Sequence, residues 1–131
     1  HACEMNPDSI EGLTKGLTAN KVAERCRVIQ GDNQKTAPRL KGVADRVLLG
    51  LLPSSKEAWP LAVECLKNEG GILHVHMNAS VESLEDGTFI STTVRAFETL
   101  NCEIVVLHLE DVKSYSPHIR HVVLDLQVKK L

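Results

Sequence analysis

Cys3-Glu4-Met5-Asn6-Pro7, answered further along by Gly31-Asp32-Asn33, sets the architecture of this 131-residue chain. In the first stretch an acidic residue closes an apparent strand, His1 to Glu4. Asn6 then caps a helix with Pro7 at its first position. Ile10, Leu13, Leu17 and Val22 keep the helical period, and Asn20 suits the C-terminal cap. In the second stretch Asp32 and Asn33 close another strand, Arg27 to Gln30. Strand, helix and strand with a carboxylate after each strand is how an open α/β sheet holds a nucleoside. Glu4 is placed to take the ribose hydroxyls, and Asp32 with Asn33 to take the adenine. The alternatives are an exposed glutamate favoured by a helix N-terminus and a plain Gly-Asp-Asn turn.

Downstream, Lys35 to Gly42 is polar, contains Pro38 and reads as loop. Ala44 to Leu52 is a near-continuous apolar run, which predicts an inner strand of a parallel sheet. Pro53-Ser54-Ser55 stops it, and either serine can cap a helix carrying Trp59, Leu61, Ala62, Cys65 and Leu66. Gly70-Gly71 turns the chain into a further inner strand, Ile72 to Met77. Val81 to Leu100 reads as one helix. Cys102 to Leu109 and His121 to Val128 are strands. Glu110 to Arg120 is too short for a crossover helix, so these two pair antiparallel.

The order predicts an α/β fold, a mostly parallel sheet finished by a terminal antiparallel hairpin. A plain dinucleotide-binding fold ends in parallel strands. The inserted antiparallel strand is the habit of class I adenosylmethionine-dependent methyltransferase-like (Rossmann-like) folds, a fold-level analogy. No strand with a glycine-rich turn stands before Glu4, and His1 reads as mid-strand. Residues 1–131 are therefore read as one incomplete catalytic domain whose first strand is missing, and this piece alone is expected to be inactive.

Composition narrows the function. Hydrophobic residues make up 43% of the chain, enough for a soluble globular core, and the formal net charge is -2. Without an excess of Lys and Arg, any RNA contact must use a local patch or a part of the protein outside these residues. No apolar run reaches the roughly 20 residues of a membrane helix. Cys3, Cys26, Cys65 and Cys102 show no CxxC spacing, and read as small buried hydrophobes in a reducing cytosol, with disulfides the alternative.

In an open α/β sheet ligands sit beyond the carboxyl ends of the strands. Besides Glu4, Asp32 and Asn33, that rule singles out Pro53, Ser54, Asn78, Lys113 and Tyr115 as candidate substrate-facing residues. Pro53 removes a donor and fixes the backbone, which leaves carbonyls free to face a base; a strand stop explains it equally. Lys113, Tyr115, His118, Arg120 and His121 form a basic-aromatic cluster suited to RNA phosphate or a stacked base, or to a solvated hairpin turn. His74 and His76 share one strand face at a metal-binding spacing. No third ligand is evident, so they read as hydrogen-bonded histidines, and no metal is expected. No residue is singled out as the catalytic base.

Several stretches together carry a resemblance. They are His1-Ala2-Cys3-Glu4-Met5-Asn6-Pro7, Gly31-Asp32-Asn33, Ala44 through Ser55 with its Leu-Pro-Ser-Ser ending, Trp59-Pro60, Gly70 through His76 and Val112 through His118. This chain resembles the eukaryotic tRNA wybutosine-synthesising aminocarboxypropyltransferases, relatives of the tRNA guanine-37 N1-methyltransferases. The resemblance implies that Glu4 binds the ribose of S-adenosyl-L-methionine and that Asp32 and Asn33 bind its adenine. It also implies transfer of the 3-amino-3-carboxypropyl group to the wyosine-type base at position 37 of tRNA(Phe), with the anticodon region as partner and the cytoplasm as location. The family's first strand, its glycine-rich turn and its N-terminal tRNA-gripping parts are missing, and the stretch 79–100 is shorter than in the family. The alternatives are a guanine-37 N1-methyltransferase and a non-catalytic nucleoside- or RNA-binding fragment.

Overall fold

Asn6 starts the first helix as its sequence requires: its side-chain Oδ1 accepts from the Asp8 N–H at 2.9 Å, with Pro7 in the first turn. The computed structural model describes all 131 residues and divides into two units, His1–Leu40 and Lys41–Leu131. In the first unit, strand β1 (Ala2–Glu4) leads into α1 (Pro7–Ala19) and then β2 (Val28–Gln30). β1 and β2 pair in parallel, Ala2 beside Val28 and Glu4 beside Gln30. Ile10, Leu13 and Leu17 are half-buried. The start of the expected loop is instead helical. Asp32 caps a single turn, α2 (Asn33–Thr36), and a 3-10 turn over Ala37–Leu40 follows. An Asp with helix formers behind it overrides the weak signal of Pro38, which a 3-10 turn tolerates.

The second unit is a four-stranded sheet with helices on one face. β3 (Arg46–Leu49), β4 (Gly71–Ser80), β5 (Cys102–Ser116) and β6 (Ile119–Lys130) lie in the order β3-β4-β6-β5. β3 runs parallel to β4, and β6 pairs antiparallel with both β4 and β5. Three strands therefore run one way and the last strand is inserted against them, the expected mixed sheet.

Alternation along β4 and β6 builds the core. Leu73, Val75, Met77 and Ala79 meet Val122, Leu124, Leu126 and Val128 on one buried face. α3 (Trp59–Cys65) and α5 (Thr88–Glu98) supply its other side, with Trp59 stacked on Phe97 at 4.5 Å between ring centroids. The Gly70-Gly71 turn is fixed by close approach. A Cβ on Gly70 would sit 1.9 Å from the Val128 carbonyl oxygen, and one on Gly71 would sit 2.5 Å from that of Asp45.

Three further expectations needed correction. β3 is shorter than its apolar run and pairs only with β4, leaving Leu48 72% exposed. Its sequence suits a strand covered on both faces, although in this sheet it is an edge. The predicted helix over 81–100 is two, α4 (Val81–Glu85) and α5, because the Asp86 carboxylate caps both the N–H and the hydroxyl of Thr88. The expected loop over 110–120 is mostly strand. β5 continues to Ser116 and β6 begins at Ile119, with register shifts at three points along β5.

Candidate active site

In the first unit the parallel pairing of β1 and β2 brings Glu4 and Asp32 out at the same rim, with the Gly31 N–H bonded to the Glu4 carbonyl at 2.9 Å. Glu4 Oε1 accepts from the Met5 and Asn6 N–H groups, both at 2.8 Å. Those bonds fix the carboxylate at the mouth of α1, where the helix dipole favours negative charge. Its second oxygen stays uncommitted, the acceptor a ribose diol requires. Asp32 Oδ1 accepts from the Gln34 N–H at 2.9 Å, so this side chain caps α2. Asn33 is exposed beside it.

In the second unit the loop after β3 is fastened to β4. The Pro53 carbonyl, past a cis Leu52-Pro53 peptide, accepts from the Asn78 N–H at 2.9 Å. Ser54 Oγ donates to Met77 Sδ at 3.5 Å and accepts from the Lys56 N–H at 3.3 Å. Ser55 does not cap the helix. Buried, it donates to the His76 carbonyl at 3.2 Å and accepts from Trp59 Nε1–H at 3.1 Å. A buried hydroxyl needs at least one partner, and here it has two, one of them the indole. Pro53, Ser54 and Asn78 are thus brought together. Lys113 is the register partner of His121, itself the partner of Asn78, so the three form one row across β4, β6 and β5. Tyr115 is 66% exposed further along β5. The basic cluster does not gather as one patch, since Arg120 is committed to Asp111 at 2.8 Å and His121 is buried.

The sheet face opposite the core carries polar groups that the sequence only partly disclosed. Arg46 Nη1 lies 3.2 Å from His74 Nε2, and His74 Nδ1 lies 2.7 Å from Asp125 Oδ1. A guanidinium can only donate, so His74 carries its proton on Nδ1 and gives it to Asp125. His76 Nδ1 is 3.2 Å from His121 Nε2. Burial, then the neighbouring His121 and His74, hold the His76 imidazole below its usual range, against the opposing pull of Asp125. Asn78 Oδ1 and His121 Nδ1 are buried without a hydrogen-bond partner. His74 and His76 are hydrogen-bonded as expected. Arg46 and Asp125 were missed, because their contacts depend on strand register; pairing the hairpin so that His74 faces β6 would have found Asp125. No disulfide joins the four cysteines; Cys65 and Cys102 are buried as expected, whereas Cys3 and Cys26, in the small first unit, are only half-buried.

Comparison with known proteins is consistent over nearly the whole chain. The TRM5/TYW2 methyltransferase domain model matches residues 1–107. The tRNA wybutosine-synthesizing protein 2/3/4 of Arabidopsis thaliana is 48% identical over 133 residues, covering 98% of this chain and 13% of that protein. The tRNA wybutosine-synthesizing protein 2 homolog of Danio rerio is 39% identical, covering 100% of this chain and 40% of its own length. The chain thus spans well under half of these relatives. Among solved structures, Pyrococcus horikoshii TYW2 in complex with MeSAdo superposes with a TM-score of 0.88 at 29% identity, over 99% of this chain and 48% of that one. M. jannaschii TYW2 in complex with AdoMet gives 0.82 at 26% identity, over 99% and 57%.

Proposed function

The chain belongs to the TRM5/TYW2 methyltransferase domain family, and from that membership we propose that it is part of an S-adenosyl-L-methionine-dependent tRNA transferase. The group transferred is the 3-amino-3-carboxypropyl chain of the donor, and the acceptor is the wyosine-type base at position 37 of tRNA(Phe). Relatives named for wybutosine synthesis match 97–100% of this chain, and that agreement carries the reading. The uncommitted oxygen of Glu4 beside Asp32 supports it, since a donor nucleoside needs such a rim.

The chemistry asks little of the protein beyond placement. A sulfonium is already activated, so catalysis consists mainly of holding the acceptor atom in line with one of three carbons on sulfur. Glu4, Asp32 and Asn33 hold the adenosine. The Pro53-Ser54 loop, tied down through Ser55 and Trp59, and Asn78 face the base. Tyr115 offers a stacking surface and Lys113 a phosphate contact. The resemblance to cytoplasmic tRNA-modifying enzymes supports the cytosol as its location on this reading.

The test uses the full-length protein, precursor tRNA and donor labelled in its aminocarboxypropyl carbons. Label on the position-37 base, with methylthioadenosine released, is the expected result. A methyl group on guanine 37 instead would convert the reading to the sister activity, and no release of either product would refute it.

A further inference from the structure

We propose that Leu51 and Leu52 form a platform that selects the acceptor base by apolar area, favouring a tricyclic wyosine-type base over guanine; this deepens the transferase reading and rests on it. Both leucines lie just past the carboxyl end of β3, the end at which an open α/β sheet meets its ligands. Leu51 is 63% exposed and Leu52 37%, and Pro53 beside them is exposed as well. A single exposed leucine is ordinary on a protein surface. A run of consecutive exposed apolar residues is not, unless it serves a function. The run also follows Gly50, where a Cβ would meet nothing within 4 Å, so the surface beside the leucines is open.

The turn that carries them is held from behind. The Pro53 carbonyl accepts from the Asn78 N–H at 2.9 Å, and Ser54 forms an antiparallel bridge with Met77. Ser54 Oγ donates to Met77 Sδ and accepts from the Lys56 N–H. The Ser55 hydroxyl is buried between the His76 carbonyl and the Trp59 indole N–H, and Trp59 is stacked on Phe97. Exposure drops from 63% at Leu51 to 1% at Ser55. The root of the loop is thus set in the core while its crest is presented to solvent, and a loop ordered beforehand loses little freedom on binding.

These ties decide how the loop can recognise a base. Pro53 has no N–H, its carbonyl is engaged by Asn78, and the hydroxyls of Ser54 and Ser55 are committed within the protein. The side chains left at the crest are hydrocarbon: two leucines and a proline ring. They cannot hydrogen-bond a base edge, so they discriminate by the flat apolar surface they cover. A wyosine-type base has one ring more than guanine. Covering roughly 60 Å² of additional apolar surface corresponds to about tenfold in affinity.

The experiment measures binding of the full-length protein to two phenylalanine tRNAs that differ only at position 37, one with the wyosine-type precursor base and one with guanine. Transfer to the first is followed in parallel. Wild type is expected to prefer the tricyclic base by about tenfold or more. Leu51→Ser combined with Leu52→Ser should erase that preference, leaving affinity for the guanine tRNA and for the donor within about twofold of wild type. Leu51→Met combined with Leu52→Met keeps the apolar area and should keep the preference. A thermal melt checks each variant, and if the serine pair does not fold, Leu51→Ser alone should reduce the preference about threefold. A folded serine variant with the wild-type preference overturns this inference alone. So does a wild type that transfers the group but binds both tRNAs alike, or a methionine pair as poor as the serine pair. A wild-type enzyme that releases no methylthioadenosine overturns the transferase reading and the inference with it.

Discussion

Replacing Glu4 tests the proposed donor site most directly, because that reading asks two jobs of its carboxylate. Oε1 is spent on the Met5 and Asn6 amides at 2.8 Å, and Oε2 is the oxygen proposed to take the ribose. A hydrogen bond to a charged group contributes about 1.5–3 kcal/mol. At about 1.4 kcal/mol per decade, losing it weakens binding by about 10- to 100-fold. Glu4→Ala removes both jobs, so it should show this loss in full. Glu4→Gln keeps a carbonyl oxygen for the two amides and places an NH2 where Oε2 stood. That group can donate to a ribose oxygen but cannot accept from the diol, so its affinity should fall between wild type and alanine. The exposed amides freed in Glu4→Ala can be hydrated, which keeps the stability cost near or below about 1 kcal/mol. Titration calorimetry of S-adenosyl-L-methionine into the full-length protein, with a thermal melt of each variant, reads both effects. Unchanged affinity in folded Glu4→Ala would remove Glu4 from the site and take the nucleoside rim with it.

Three further outcomes follow from the same geometry. Phe97→Ala deletes a fully buried ring stacked on Trp59 and should destabilise the protein by about 3–5 kcal/mol in denaturant titration; a loss well under that would mean the core collapses into the space. His76 binds a proton less readily folded than unfolded, so its contribution to stability is complete above its ordinary value of 6.5 and declines as pH falls below it. Denaturant midpoints across that range should fall less steeply in His76→Gln than in wild type, and equal slopes would refute the assignment. Lys113→Ala should weaken tRNA binding of the full-length protein and flatten its salt dependence by about one counterion. Tyr115→Ala should weaken binding with the salt slope unchanged, and a changed slope there would contradict a stacking role.

Local chemistry made the order of elements legible in the sequence. Asn6-Pro7 could only start a helix, Gly70-Gly71 could only turn, and the short link before His121 forced an antiparallel last strand. The α2 turn and the break at Asp86 were missed for a related reason. In both, an aspartate side chain captures a nearby backbone N–H, and a window reading of polarity sees only a polar residue. The length of the β5–β6 hairpin was missed because Val112 through Tyr115 mix charge and apolar character without clean alternation, and the register shifts along β5 explain why.

Glu4 with Asp32, in the first unit, and the polar row around His121, in the second, differ in legibility for a physical reason. Glu4 and Asp32 each follow a strand of one βαβ unit, and the handedness and parallel pairing of such a unit place both strand ends on one rim. Sequence order alone therefore brings them together. The groups around His121 are assembled by antiparallel register, where a slip of one residue would turn every side chain to the opposite face. His76 reads as a ring on a strand and His121 as part of a basic hairpin, and nothing local to either announces a 3.2 Å contact. Asp125, alone between Leu124 and Leu126, is the clue the sequence did hold. A carboxylate on the polar face of a buried strand needs a partner, and β4 offers a histidine at the register position opposite. Once that pair is fixed, alternation puts His76, Asn78 and His121 on the same face. The polar row then follows from one correctly paired residue.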